Sequence, residues 1–112
     1  MGHGTQRPTF VWVTLAHVTP LVPGALDGAA GGYIWMGALA FDAADFRRRI
    51  DRALRAGDLA LQSLEMVESA REPEALGAMP DTMTSEVRAD LDRGVTQAVW
   101  FGKCFLYPSD DE

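Results

Sequence analysis

The sequence predicts an α+β domain, in which a mainly antiparallel sheet of about four strands carries two helices in the order strand, strand, helix, strand, helix, strand. Three observations lead there. Runs rich in β-branched and aromatic residues alternate with helical periodicity, glycine and proline punctuate the junctions, and a chain of 112 residues has the length of one ordinary domain.

Thr9 to Val18 (TFVWVTLAHV) reads as the first strand, ended by Pro20. Thr19 to Gly32 concentrates Pro20, Pro23, Gly24, Gly28, Gly31 and Gly32 around Asp27, the composition of a long loop. Tyr33 to Phe41 is a second strand. It sets Tyr33, Trp35, Leu39 and Phe41 on one face and Ile34, Met36, Ala38 and Ala40 on the other, so neither face is polar. Gly37 in its middle predicts a bulge or the close approach of another backbone.

Asp42 stands as an N-cap, with Asp45 in the first turn, where the helix dipole favours an anion. Phe46, Ile50, Ala53 and Leu54 recur at helical spacing, arginines fill the remaining face, and Gly57 occupies the C-terminal cap. Asp58 to Glu68 follows as a strand whose apolar phase shifts between Leu61 and Leu64, which predicts a bulge near Gln62 and Ser63. Ser69 to Pro80 reads as a loop with a short helix opened by Pro73. Asp81, Thr82 or Thr84 caps a second helix with Met83, Val87 and Leu91 on one face and Gly94 at its end. Val95 to Tyr107 is the last strand, setting Val99, Phe101, Phe105 and Tyr107 opposite Ala98, Trp100, Cys104 and Leu106. The whole chain, 1–112, reads as one domain, with 1–8 a flexible leader and 108–112 a flexible acidic tail.

Hydrophobic residues make up 47% and charged residues 23%, a globular balance, and the chain is long enough to bury a core without disulfides. The single cysteine, Cys104, cannot close an intramolecular bridge; it favours a reducing compartment and reads as a buried small hydrophobe rather than a reactive thiol. A net charge of −6 argues against a nucleic-acid partner. No run of about 18 apolar residues predicts a membrane span, and no signal peptide is evident, so the expected location is cytoplasmic.

Motifs for nucleotide, metal or acyl chemistry are missing from the sequence, and no cofactor or metal is expected. His17, at a strand end beside the flexible loop, is the one acid, base or ligand candidate, with Tyr33 and Tyr107 as hydrogen-bond donors; against this stands the plainer reading of a hydrogen-bonded strand-end histidine. Arg48, Arg52 and Arg55 in the basic helix face could fork onto a carboxylate or phosphate, against the plainer reading of a solvated face paired with Asp45 and Asp51.

Two helices laid on one side of such a sheet leave its other side bare, although the second and last strands are apolar on both sides. Trp12, Tyr33, Trp35, Met36, Trp100 and Phe101 are therefore candidate interface residues, and a homodimer packed through its sheets is expected. The arrangement is similar to ferredoxin-like and dimeric α+β barrel proteins, a likeness of fold that carries no site with it. The expected function is a small acidic protein-interaction module, of the kind that serves as an immunity or antitoxin partner. Glu65, Glu68, Glu72, Glu74, Asp110, Asp111 and Glu112 would steer it to a basic target. The alternative is a small-molecule-binding protein or enzyme with a pocket between sheet and helices or between subunits.

Overall fold

The computed structural model describes residues 8–95 and 97–108. The leader and the acidic tail, with Asp110, Asp111 and Glu112, lie outside the described residues except for Pro8 and Pro108.

Four strands, β1 (Phe10–Pro20), β2 (Gly31–Ala40), β3 (Leu59–Ala70) and β4 (Val99–Tyr107), form one antiparallel sheet in the order β3-β1-β2-β4. Helix α1 (Ala43–Ala56) joins β2 to β3, and α2 (Asp81–Asp92) joins β3 to β4 after a short 3-10 turn at Pro73–Ala75. The predicted element order and antiparallel sheet are those observed. The loop between β1 and β2 is tied at both ends, Leu21 N donating to the Asp58 carbonyl at 2.8 Å and Ala30 N to that of Tyr107 at 3.1 Å.

Local chemistry explains the boundaries. Asp42 accepts from the Asp45 backbone N–H at 2.8 Å, while the Asp45 carboxylate accepts from Phe41 N at 3.0 Å, a reciprocal clamp on the start of α1. Gly57 caps the other end with φ −103°, and the left-handed turn is made one residue later by Asp58 at φ 63°. In α2 none of Asp81, Thr82 and Thr84 is the cap. Pro80 holds that position, and Thr84 Oγ1 donates back to the Pro80 carbonyl at 3.2 Å. The chain leaves α2 through Gly94 at φ 79°.

The register of β3 slips at Gln62, as the shifted apolar phase predicts, and again near Met66, which takes φ 52°. The second bulge turns the Glu65 carbonyl toward Thr14, whose buried hydroxyl donates to it at 2.7 Å. A third irregularity falls in β4 between Phe101 and Cys104.

The expectation that both helices share one side of the sheet is overturned. Phe46, Ile50 and Leu54 of α1 bury Ala16, Val18, Ile34, Met36, Ala38 and Ala40, the even-numbered face of β1 and β2. Met83 and Val87 of α2 bury Val11, Val13, Leu39 and Trp100 on the opposite face. The two-sided apolar strands are thus explained in large part within one chain, each fully buried Val, Leu, Ile, Phe or Met side chain contributing roughly 1.5–3 kcal/mol. Gly37 and Gly102 let α2 approach: a Cβ on Gly37 would stand 3.0 Å from the Trp12 carbonyl and 3.2 Å from the Met83 methyl, and one on Gly102 3.1 Å from the Met83 sulfur. Close approach, rather than a bulge at Gly37 itself, is the reason for that glycine.

Candidate functional site

Helix α2 covers only the end of its face that carries Val11, Val13 and Leu39. Beyond it, the pairings Leu15 with Trp35, His17 with Tyr33 and Tyr33 with Phe105 place five side chains on the same face, joined by Tyr107 opposite Gly31. Leu15, His17, Tyr33, Trp35 and Tyr107 are half-buried and Phe105 is exposed. The result, among the described residues, is an aromatic field that neither helix covers.

At its centre the His17 ring stacks on Tyr33, centroids 4.7 Å apart and planes 15° from parallel. His17 Nε2 and the Tyr107 hydroxyl share a hydrogen bond of 2.8 Å. His17, Tyr33 and Tyr107 were singled out in the sequence for acid, base and donor roles, and the fold brings all three together. Chemically, the cluster is a stacked His–Tyr pair with one internal hydrogen bond, held at half-buried positions. Ser63, opposite His17, donates instead to the Glu65 carboxylate at 2.5 Å.

The other interface candidates separate into surface and core. Phe101 is 50% exposed on the α1 face of β4, next to exposed Cys104 and Leu106. Cys104 is thus not buried, because α1 does not extend over this part of the edge strand; partial desolvation nevertheless raises its thiol pKa. Met36 is fully buried under α1 and Trp100 is 3% exposed beneath α2, its indole N–H donating to Asp90 at 2.7 Å. Trp12 stacks on Phe46 and donates to the Ala40 carbonyl at 3.1 Å. These three belong to the chain's own packing. Phe105 and Leu15 were missed as surface candidates; the alternation of β4 put Phe105 on one face with Tyr107, and only its pairing to Tyr33 shows that face to be open.

The acidic residues are partly spent inside the molecule. Arg88 Nη2 donates to Glu72 at 2.5 Å and to Glu74 at 2.7 Å, binding the 3-10 turn to α2. The Arg88 hydrogen bond, helped by a backbone one, lowers the Glu74 pKa to about 2. Glu68 accepts from Ala78 N at 3.2 Å.

A second feature lies on the α1 face, where Phe41, Asp45, Arg48, Arg49, Arg52, Ala53 and Ala56 face Ala98 and Val99 across a half-open groove of about 660 Å³. Arg48 and Arg49 donate to opposite oxygens of Asp45 at 2.8 and 3.0 Å. Burial would raise the Asp45 pKa, but the Phe41 backbone N–H and the two guanidinium groups outweigh it and hold the carboxyl below its ordinary value. Arg55 is outside the groove and pairs with Asp51 at 3.0 Å. Of the candidate anion-binding arginines, Arg48 and Arg52 line the groove and Arg55 does not, while Arg49 lines it as well.

Among the described residues no three His, Cys, Asp or Glu side chains gather as metal ligands, and no helix is long and apolar enough to cross a membrane. Comparison with protein-family models, curated proteins and solved structures finds no match.

Proposed function

We propose that the chain is a protein-interaction module that docks through the open aromatic half of its α2 face, with a second copy of itself as the occupant. The observation that carries this reading is the field of Leu15, His17, Tyr33, Trp35, Phe105 and Tyr107, which joins large apolar surfaces to polar tips as protein interfaces do. Charge supports a second copy. Although the chain carries −6, the field has one carboxylate, Glu65 opposite Leu15 at its β3 edge, and one cation, Lys103, which lies over Phe105 at its β4 edge. Two copies can meet there without facing like charges across the centre. Because α2 occupies the other half of the face, the two sheets would cross steeply, one of the two regular modes of sheet packing.

The acidity outside the field supports the role of a partner for a basic protein, as immunity and antitoxin proteins are. Sedimentation of the full chain over micromolar concentrations tests the docking surface. The expected mass rises from one chain toward two, and Phe105→Glu, at an exposed position, returns it to one while circular dichroism stays unchanged. A single chain mass throughout overturns the second-copy reading, as does a dimer indifferent to Phe105→Glu.

A further inference from the structure

We infer that the groove between α1 and the start of β4 binds a small organic anion, a carboxylate or phosphate carried on an apolar, planar body. Among the described residues Arg48, Arg49 and Arg52 line it with a single carboxylate, Asp45, so their local balance is two positive charges in a chain of net −6. Each guanidinium has five N–H donors, and Asp45 takes one from Arg48 and one from Arg49. Arg52 makes no ion pair among the described residues. Asp45 therefore orients its two arginines without exhausting them, while Arg52, one turn further along α1, is left to meet an anion.

The rest of the groove defines the body of the ligand. Ala53, Ala56, Ala98 and Val99 supply apolar lining, and Phe41, 53% exposed, lines the groove with them. An aromatic or flat aliphatic group could lie on that lining with its anionic end toward Arg48 and Arg52. The volume, about 660 Å³, falls within the range of small-molecule pockets. This site is on the opposite face from the aromatic field and stands independently of the self-association proposed above.

The test is titration of the full chain, at low salt, with phenyl phosphate, benzoate, inorganic phosphate and benzylamine, followed by backbone amide NMR. Expected are saturable shifts at Phe41, Arg48, Arg49, Arg52, Ala98 and Val99 with phenyl phosphate or benzoate, weaker ones with inorganic phosphate and none with benzylamine. Whichever aromatic anion binds more tightly identifies the head group. Arg52→Gln should weaken binding about tenfold or more, the loss of one charge-assisted contact, while Arg55→Gln leaves it unchanged. No saturable shift with either aromatic anion up to millimolar concentration overturns the assignment, and so does affinity undiminished by Arg52→Gln.

Discussion

His17 and Tyr107, ninety residues apart in the chain, share a 2.8 Å hydrogen bond that spans β1 and β4 across the intervening strand β2. It fastens the far end of the edge strand to the centre of the sheet, and Gly31 makes the approach possible, since a Cβ there would run into the Tyr107 ring. Tyr107→Phe keeps the ring and removes the hydroxyl. The expected cost is about 1 kcal/mol, seen as a fall in Tm of roughly 4 °C, and an unchanged Tm would show that the bond contributes nothing net.

Charge insertion separates the covered from the exposed part of the α1 face. Met36→Lys places an ammonium in a fully buried position under α1, a cost of several kcal/mol, and is expected to abolish the cooperative thermal transition. Phe101→Lys, at a half-exposed neighbour across the β2–β4 pairing, should fold with a Tm within a few degrees of the parent. Equal losses in the two variants would contradict the burial of Met36.

Acid should loosen the clamp between the 3-10 turn and α2. The Glu74 pKa is lowered from an ordinary 4.5 to about 2, so its pairing with Arg88 stabilises the fold above pH 4.5 and is lost as pH falls through about 2. The pair is exposed, so the effect is small. Thermal melts between about pH 5 and about pH 2 should decline less steeply in Arg88→Gln than in the parent. Parallel curves would remove the clamp from the acid response.

Cys104 should react with a thiol reagent in the native protein, because its side chain is exposed on the edge strand. Its raised pKa leaves less thiolate at neutral pH, so the rate should be below that of free cysteine and should recover as the pH is raised. Labelling that requires denaturant would place the residue in an interface or core.

Much of this architecture was legible because its signals are local. The Asp42 cap, the apolar stripe of α1 and the phase shift at Gln62 are each written within a few residues and appear as read. The placement of α2 was not, since amphipathicity shows which side of a helix is buried and says nothing about which face of a sheet buries it. Apolar residues on both sides of β2 were the available clue; they record two helices on opposite faces. The second β3 bulge at Met66 has no residue signature, since methionine is an unusual occupant of left-handed backbone. The candidate site was readable as a list, His17 with Tyr33 and Tyr107, but not as a contact, which depends on β4 pairing with β2 rather than β3.

The division of the core between two faces also sets the order in which a chain growing from its N-terminus can hide its apolar surface. Every buried member of the α1 cluster lies at or before Leu54, whereas the α2 cluster is incomplete until Trp100 has been made. One side of the nascent sheet can therefore be sealed while Val11, Val13 and Leu39 on the other still face water. During that interval the protein's greatest exposure to misassembly is on the α2 side, and the stretch from Leu76 to Trp100 is what ends it.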